Sequence, residues 1–307
     1  MRLVVALGGN ALQQRNEPLT LATQWTNARI AARALEPVAR NHQLILTHGN
    51  GPQVGLLAMQ AQSFDGAEPY SFDLMGAATG GMIGFILEQE LGNLLGYDVP
   101  IATLLTRIEV DARDPEFSDP SKFVGPGFDR PEADRLAAAH GWTFREDGAR
   151  WRRVVPSPQP QRILWHRPIR WLLEQNAVVI CGGGGGIPVV QQADGRLEGV
   201  EAVIDKDRAS SLLARRIPAD LFVIATDVPG VYENWGTPEQ RLVPELHADE
   251  LEGSAFSRGS MGPKVEAALR FVRETGKPAV IGALDQIGEI VEGRAGTRVL
   301  PGRRAVA

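Results

Sequence analysis

The sequence repeatedly places an apolar run just before a cluster of glycines, and this arrangement constrains the fold more than any other feature. The pairs are Leu3-Val4-Val5-Ala6-Leu7 before Gly8-Gly9-Asn10, Leu44-Ile45-Leu46 before Gly49-Asn50-Gly51, and Val178-Val179-Ile180 before the glycines at 182–186. Continuous apolar runs are typical of strands buried on both faces of a parallel sheet. Glycine after such a strand lets backbone N–H groups approach an anion. The pattern therefore predicts a ligand site at the carboxyl edge of a parallel sheet.

Helical patterns separate the predicted strands. Apolar residues from Leu21 to Ala39 follow helical spacing, and residues 72–95 predict a second long helix. Strands at 101–105, 221–225 and 279–281 and helices near 161–175, 207–216 and 263–274 continue the alternation. This order predicts the α/β class, with an open, mainly parallel sheet and helices on both faces in a three-layer sandwich.

The alternation stops between residues 111 and 161, a stretch that holds seven prolines. It contains a predicted helix near 131–140 and a predicted hairpin that turns at Asp147-Gly148. We interpret 111–161 as a small protruding excursion inserted into an N-terminal lobe, 1–185. A C-terminal lobe, 186–307, is predicted to follow.

Charge and cysteine content exclude several classes of protein. A net charge of −5 gives no overall attraction to nucleic acid or to an anionic membrane surface. The single cysteine, Cys181, allows no internal disulfide and fits a reducing compartment. The apolar run after Arg2 is too short for a signal peptide. We therefore expect a cytoplasmic protein with small-molecule partners and with neither nucleic acid nor membrane partners.

Lysine is rare, and its placement is informative. The chain has 28 arginines and four lysines, at 122, 206, 264 and 277. Lys206 and Lys264 lie at the starts of predicted helices, where a cation opposes the helix dipole unless an anion is bound nearby. An ammonium group on a flexible stem also suits a moving phosphoryl group. The alternative is ordinary surface lysines with Asp205 and Asp207 as helix caps, and for Lys277 a surface role is the preferred interpretation.

Common catalytic signatures are absent from the sequence. It has no G-x-x-x-x-G-K-[ST] loop, and 49–55 is one residue too long for G-x-G-x-x-G. The run Gly259-Ser260-Met261-Gly262 lacks the spacing of a nucleophile elbow. The histidines form no metal-binding pair, so His48 is interpreted as a hydrogen-bonded structural residue.

Several segments, in this order, resemble the amino acid kinase family and, within it, the carbamate kinases. They cover nearly the whole chain, at 5–11, 48–55, 152–158, 183–189, 199–207, 226–232 and 259–264. The glycine turns and the D-V-x-x-V-Y stretch are shared widely within the family. The V-V-P-S-P segment at 154–158, the G-V-E-A-V-I-D-K-D segment at 199–207, the excursion with Lys122 and the lysine-free first turn resemble carbamate kinases specifically.

The resemblance implies a reversible phosphoryl transfer between carbamoyl phosphate and ADP, giving ATP and carbamate, which then breaks down to ammonia and CO₂. It also implies Mg²⁺ as cofactor, held mainly by nucleotide phosphates without a direct protein ligand, and a homodimer. Carbamate is already an anion, so its attack needs no general base, and positioned cations lower the barrier for in-line transfer. One departure is that Gly80-Gly81-Met82-Ile83-Gly84 is richer in glycine than the resemblance leads us to expect.

Residue roles follow from the same resemblance. The substrate-binding set in the N-terminal lobe is Gly8, Gly9, Asn10, Gly49, Asn50 and Gly51. The catalytic set is Lys122, Lys206, Asp207 and Lys264. The nucleotide-binding set, in the C-terminal lobe, is Asp205, Lys206, Thr226, Asp227, Tyr232, Met261 and Lys264.

Two other functions fit the sequence less well. The first is an amino acid kinase that acts on another acid, such as acetylglutamate or a phosphonate. The second is a nucleotide-binding regulatory protein without turnover, which would be expected to lack the lysines or Asp207. The resemblance leaves open whether carbamoyl phosphate derives from citrulline in arginine metabolism or from purine-derived ureido compounds. It also leaves open the net direction and the choice between Mg²⁺ and Mn²⁺.

Overall fold

The computed structural model describes residues 1–8, 17–18, 20–62, 70–249 and 261–302. The predicted site residues Gly9 and Asn10 lie outside the described residues. In the described part of the chain, the helices are α1 (Leu21–Asn41), α2 (Gly51–Gln62), α3 (Phe72–Leu95), α4 (Arg130–His140), α5 (Arg167–Glu174), α6 (Lys206–Arg216), α7 (Gly262–Thr275) and α8 (Ile287–Val291).

The strands are numbered in chain order. They are β1 (Arg2–Leu7), β2 (Gln43–His48), β3 (Ile101–Leu104), β4 (Arg107–Glu109), β5 (Lys122–Phe128), β6 (Thr143–Asp147), β7 (Arg150–Val155), β8 (Arg162–Ile163), β9 (Val178–Cys181), β10 (Ile187–Gln191), β11 (Leu197–Gly199), β12 (Leu221–Thr226), β13 (Val231–Glu233), β14 (Arg241–Val243), β15 (Glu245–His247), β16 (Ala279–Ala283) and β17 (Thr297–Leu300).

Eight strands form the main sheet, in the order β15-β17-β16-β12-β1-β2-β9-β3. Within it only β16 and β17 pair antiparallel, and the other neighbours are parallel. The predicted mainly parallel sheet is therefore confirmed. In the main sheet, the strands from residues 1–185 and those from residues 186–307 meet between β1 and β12. The sheet is continuous between them. Strands β10 and β11 instead join β4 and β8 in a second sheet.

The alternation of side chains along β1 explains why the sheet carries helices on both faces. Leu3, Val5 and Leu7 belong to an apolar cluster with α1, α3 and α8. Val4 and Ala6 belong to a second cluster, with α5, α6 and α7. All five side chains are fully buried. Because both faces of β1 are covered, its apolar run is continuous, and the predicted three-layer α/β architecture is confirmed.

The glycines of α3 permit close packing against the sheet. A Cβ atom at Gly84 would lie 2.4 Å from Cγ2 of Thr103 in β3. A Cβ atom at Gly80 would lie 3.6 Å from the carbonyl oxygen of Gly183. The unexpected glycine content of this helix therefore has a packing cause, since it brings α3 against β3 and against the glycine run after β9.

The excursion consists of α4 and a three-stranded antiparallel sheet in the order β5-β7-β6. The predicted hairpin is present, but Asp147 pairs with Arg150, so its loop is Gly148-Ala149 rather than Asp147-Gly148. The excursion packs on α2, where a Cβ atom at Gly55 would lie 2.1 Å from Cα of Gly125. An apolar cluster beneath it contains Val54, Ala58, Phe72, Met75, Val124, Val155 and Val203.

A second sheet has four strands in the order β11-β10-β4-β8. Its strands β4 and β8 flank the excursion in the chain. Its strand β8 and the turn after it occupy residues for which the sequence pattern predicts the start of a helix, near 161. Helix α5 begins only at Arg167, with Pro168 in its first turn, where the missing N–H of proline costs no hydrogen bond. Across the described residues, none of the helices is both long enough and apolar enough to span a bilayer.

Candidate active site

Gly8, which directly follows β1, lies beside the glycine turns after β2 and β9 at the carboxyl edge of the main sheet. Gly8 N–H donates to the carbonyl oxygen of Ala225 in β12 (2.9 Å), and Gly49 N–H donates to that of Leu7 (3.3 Å). After β9, Gly184 has φ +68°, and a Cβ atom there would lie 2.3 Å from Nδ2 of Asn50. Gly8, the turn after β2 and the glycine run after β9 therefore lie together, as positions after parallel strands predict.

Asn50 is the polar centre of these turns. Its side chain is buried, and Nδ2 donates to Oγ1 of Thr79 in α3 at 2.8 Å. The Thr79 hydroxyl donates in turn to the carbonyl oxygen of Met75 at 2.7 Å. Gly51 begins α2 directly after Asn50. The amide orientation is thus held by α3, through a contact that no local sequence pattern predicts.

His48 lies beneath the turn that contains Asn50. Its ring is buried, and Nδ1 lies 3.1 Å from the carbonyl oxygen of Gly49. Burial lowers the pKa of His48 to about 4, and the positive charge of Lys206 acts in the same direction. The ring is therefore neutral at pH 7, in a supporting rather than a charged role.

The lysines and aspartates form a connected cluster from three distant parts of the chain. Lys122 in β5 places Nζ 2.5 Å from Oδ2 of Asp205. Asp207 accepts from Lys206 through Oδ1 (2.5 Å) and from Lys264 in α7 through Oδ2 (2.9 Å). We call these five side chains the lysine–aspartate cluster. It joins the excursion to the N-terminal ends of α6 and α7.

Asp205 also caps α6, because its Oδ1 accepts from the N–H groups of Asp207 (2.9 Å) and Arg208 (3.3 Å). The cap proposed as the alternative for Asp205 is therefore real, and it coexists with the ion pair to Lys122. Asp207 is not a cap, since its carboxylate binds two ammonium groups. Neither Lys206 nor Lys264 is an ordinary surface lysine, because their side chains are only 10% and 15% exposed.

Burial and paired charge act against each other in this cluster. Burial disfavours ionised Asp207, but Lys206 and Lys264 outweigh it and hold the pKa of Asp207 below its usual range. Burial likewise opposes ionised Asp205, while Lys122 and Lys206 keep its pKa low. Burial lowers the pKa of Lys206 against the pull of Asp207. For Lys264 the carboxylate of Asp207 outweighs burial, so its pKa is raised.

The fully ionised cluster carries three positive and two negative charges, so it has an excess positive charge. The N-terminal ends of α6 and α7 add partial positive charge to the same place. Backbone N–H groups and the Asn50 amide lie in the adjacent turns. The edge of the sheet thus combines cations on flexible stems with uncharged donors, an arrangement suited to a phosphoryl group beside a small polar group.

Sequence and structure comparisons agree with this chemistry. Residues 1–283 match the amino acid kinase family. A carbamate kinase of Rhizobium meliloti (strain 1021) is 54% identical over 97% of this chain and 92% of that protein. A carbamate kinase of Escherichia coli (strain K12) is 52% identical over 96% of this chain and 98% of that protein. The chain belongs to the amino acid kinase family.

A solved relative extends the match to three dimensions. The structure of carbamate kinase from Giardia lamblia bound to AMP-PNP superposes with a TM-score of 0.89 at 37% identity, covering 98% of each chain. The predicted family and fold are therefore confirmed, and the chain is an enzyme of the phosphotransferase class.

In this amino acid kinase, four of the predicted nucleotide-binding residues lie outside the lysine–aspartate cluster, and their surroundings differ. Thr226 ends β12, and its hydroxyl donates to Oδ1 of Asp227 at 3.0 Å. Asp227 is close enough to Lys264 to help raise its pKa, so this pair borders the lysine–aspartate cluster. Tyr232 in β13 packs edge-on against Trp235, 5.3 Å between ring centroids. Met261, just before α7, packs against the apolar core instead of projecting freely.

A buried hydroxyl bridge, which sequence reasoning missed, connects β2 and α6. Ser210 Oγ donates to the carbonyl oxygen of Lys206 (2.6 Å) and lies 2.6 Å from Thr47 Oγ1. Because the single Ser210 proton is used for Lys206, Thr47 must donate to Ser210. The bridge couples the strand that leads to Asn50 to the helix that starts at Lys206. Its two hydroxyls are 163 residues apart in the chain, so no local pattern reveals it.

The two segments most specific to the carbamate kinase resemblance contact each other. Val203 N–H, in the G-V-E-A-V-I-D-K-D segment, donates to the carbonyl oxygen of Pro156 in V-V-P-S-P at 2.9 Å. Two residues after Val203, Asp205 binds Lys122 of the excursion. The hydrogen bond therefore holds the end of the excursion beside the segment that leads into α6.

The acidic groups of the site offer little to a metal ion. No group of three or more His, Cys, Asp or Glu side chains suited to hold one occurs among the described residues. Lysine ammonium groups contact both carboxylate oxygens of Asp207 and one of Asp205.

Proposed function

We propose that this chain is a cytoplasmic kinase that transfers a phosphoryl group reversibly between carbamoyl phosphate and ADP, giving ATP and carbamate. The observation that carries the proposal is the lysine–aspartate cluster, buried beside the uncharged turns that hold Asn50. Relatives named carbamate kinase, 50–54% identical over 96–97% of the chain, support the choice of substrate.

The N-terminal turns are proposed to hold the carbamoyl group. This set comprises Gly8, Gly49, Asn50 and Gly51, together with Gly9 and Asn10 outside the described residues. Backbone N–H groups and the Asn50 amide are neutral donors, and these suit a planar group that bears carbonyl and carboxylate oxygens. The Thr79 contact would hold the Asn50 amide in the donating orientation.

Lys122, Lys206 and Lys264 are proposed to contact the transferred phosphoryl group. In the direction of ATP synthesis, an oxygen of the ADP β-phosphate attacks phosphorus, and the bond from phosphorus to the carbamate oxygen breaks in line. Carbamate leaves as an anion and carries no proton away, so no general acid or base is required. Asp207 aligns Lys206 and Lys264, which neutralise charge spread over the phosphoryl oxygens.

The C-terminal lobe, 186–307, is proposed to bind the nucleotide, and the N-terminal lobe, 1–185, with its excursion 111–161, the carbamoyl group. Thr226 and Asp227 are adjacent to Lys264 and would lie near the phosphates. The rest of the proposed nucleotide set is Asp205, Lys206, Tyr232, Met261 and Lys264. Mg²⁺ would be held by the nucleotide phosphates and would supply further charge neutralisation, since the site's own aspartates are paired with lysines.

A homodimer is part of the proposal. Strand β3 is the outermost strand on its side of the main sheet in the described residues. The adjacent helix α3 exposes Leu74 (54%) and Phe85 (57%), and Leu105 (61%) packs 4.0 Å from where a Gly81 Cβ atom would lie. A second copy that covers this apolar edge would remove it from water. Light scattering should give twice the mass of one chain, and Phe85→Glu should lower it to one.

The deciding experiment is ATP formation from ADP and carbamoyl phosphate with Mg²⁺, with Lys264→Ala as the inactive control. ATP above the control supports the proposal, and none above it overturns the proposal. A parallel panel of small acids, assayed for ADP release from ATP, tests the alternative of a different acceptor. Faster turnover with acetylglutamate or a phosphonate than with carbamate would replace the proposed substrate.

A further inference from the structure

One contact between the excursion and the rest of the molecule is an arginine that stacks on aromatic rings. Arg153 in β7 is half-buried, and its guanidinium carbon lies 3.9 Å from the ring centroid of Trp142 and 4.8 Å from that of Phe72. Trp142 belongs to the excursion, whereas Phe72 is the first residue of α3. Arginine stacked on aromatic faces is attracted by the ring quadrupole, and the attraction grows when water is excluded.

Neighbouring arginines of β7 make different contacts. Arg150 donates to the carbonyl oxygen of Gly127, and Arg152 donates to Gly125 and Asp147, all within the excursion. The guanidinium of Arg153 has no hydrogen-bond or ion-pair partner in the described part of the chain, so aromatic faces are its main contacts. Burial lowers the pKa of Arg153 to about 10, with Glu201 opposing.

Phe72 is itself held in place. Its N–H donates to Oε1 of Glu201 at 3.1 Å, and its side chain is buried in the apolar cluster beneath the excursion. Glu201 lies in the segment that leads to Asp205 and Lys206. The stack therefore joins three pieces of the molecule: the excursion, the start of α3 and the approach to α6.

The strand register places this stack next to Lys122. Arg153 pairs with Val124, and Lys122 pairs with Val155. Lys122 and Val124 are two residues apart in β5, so their side chains point to the same face of the excursion sheet. That face also carries Val124 and Val155, which pack on α2 and α3.

We propose that Arg153 is a positioning residue, which clamps the excursion onto α3 through Phe72 and so holds Lys122 at Asp205. Its role in catalysis rests on the function proposed above, whereas its role in docking does not. Lysine at this position would keep the charge and lose the planar stacking surface. Methionine would keep only an apolar stem.

The docking role is tested by hydrogen exchange in the full chain without ligands. The reporter is the Val203 amide, whose hydrogen bond to Pro156 crosses from the body to the end of the excursion. Arg153→Met should speed its exchange by about tenfold. The matched control is Arg130→Met, because Arg130 stacks on Trp151 at 4.2 Å with both partners inside the excursion. The control should leave the Val203 amide within about twofold of the parent protein.

Equal exchange in Arg153→Met and Arg130→Met would overturn the clamp. Amides of β1, β2 and β12 are followed in the same samples. If Arg153→Met speeds exchange of those amides as much as that of the Val203 amide, the variant is destabilised as a whole. That result would also overturn the clamp. The Phe72→Leu variant gives a second route. Combined with Arg153→Met, it should add little, because both changes break the same stack.

The catalytic role is tested by steady-state kinetics of ATP formation. A displaced excursion must be returned by substrate binding, so Arg153→Met should raise KM for carbamoyl phosphate about tenfold and change kcat by less than about threefold. Arg153→Lys should recover part of the loss. A lower kcat at unchanged KM would overturn the positioning role. If the parent protein forms no ATP, the proposed function fails, and the exchange result still decides the clamp.

Discussion

The two sides of the candidate active site differ in chemistry, since one presents neutral groups and the other presents ionised side chains. Gly8 and the glycine turns after β2 and β9 present backbone groups and the neutral Asn50 amide, supported by a neutral His48. The lysine–aspartate cluster opposite them consists of five ionisable side chains, four of them held at the N-terminal ends of α6 and α7. One side is ordered by close backbone approach, and the other by ion pairs between buried side chains.

Because of this difference, the two sides should be sensitive to different substitutions. A turn that depends on missing Cβ atoms is sensitive to volume and backbone conformation. A cluster of paired ions is sensitive to removal of any one charge, because the partner left behind is buried and unpaired. The predictions below test this contrast, beginning with the largest expected effect.

Removing the central carboxylate should have the largest effect. Asp207→Asn leaves Lys206 and Lys264 without their shared partner, so the free energy of unfolding should fall by about 3–5 kcal/mol. ATP formation should fall on the order of 10³-fold, since the lysines lose their alignment. Urea unfolding and steady-state assays measure both. The matched control is Asp220→Asn, which removes a lysine partner at an exposed pair (Lys277 Nζ to Oδ1, 2.7 Å). Equal losses in the two variants would remove the contrast between buried and exposed pairs.

The neutral side should respond to pH through His48. Its pKa is about 4 when folded and 6.5 when exposed, so between those values the unfolded chain binds the extra proton. The contribution of His48 to the free energy of unfolding should therefore be fully present above pH 6.5. Below pH 6.5 the free energy of unfolding should fall, by up to about 1.4 kcal/mol per pH unit. His48→Gln should lack this component when both proteins are unfolded by urea from pH 7.5 to 4.5. Parallel curves for the two proteins would show that His48 does not contribute.

A methyl group in the turns should do moderate damage. In Gly184→Ala the new Cβ would lie 2.3 Å from Asn50 Nδ2, so the amide must move. We expect KM for carbamoyl phosphate to rise about tenfold and the free energy of unfolding to fall by about 1–2 kcal/mol from left-handed backbone strain. Gly195→Ala is the control, because Gly195 also has positive φ (+86°) but nothing lies within 4 Å of its Cβ position. A similar rise in KM in the control would rule out an effect through Asn50.

The smallest effect is expected at the fourth lysine. Lys277 pairs with Asp220 at an exposed site, with side chains 39% and 46% exposed. Lys277→Met should change the free energy of unfolding by less than about 1 kcal/mol and leave kcat within about twofold. Comparison with Lys264→Met, assayed side by side, would test whether lysine position matters. A loss of activity at Lys277 comparable to that at Lys264 would contradict the distinction.

Much of the fold follows from local sequence pattern. Apolar runs such as Leu3–Leu7 indicate strands covered on both faces, and the alternation with helices indicates a mainly parallel sheet. Local pattern locates the ends of helices less well. At α5 it predicts a helix from about residue 161, whereas strand β8 and a turn precede the helix, which begins at Arg167. The excursion was recognised from its prolines and its hairpin. Its contact with α2 through Gly55 and Gly125 was not, because close backbone approach leaves no periodic trace.

The candidate site shows a similar division. Glycine after a strand and lysine at a helix start are local signals with a physical meaning, and they identified Asn50, Lys206 and Lys264. Thr79, Ser210 and Arg153 carry no such signal. A threonine in a helix, a serine in a helix and one arginine among 28 are individually ordinary residues. Their importance comes from contacts with residues that are distant in the chain.

The sequence by itself determined the layers, the edge of the sheet at which polar groups meet and the residue types available there. These follow from side-chain period and from the direction of parallel strands, which are local properties. Only the tertiary structure decided that Asp207 faces two lysines, that Asp205 caps α6 while binding Lys122, and that Arg153 stacks between the excursion and α3. The reason is that pairing and stacking depend on distances between separate elements, which are set by how the whole core packs.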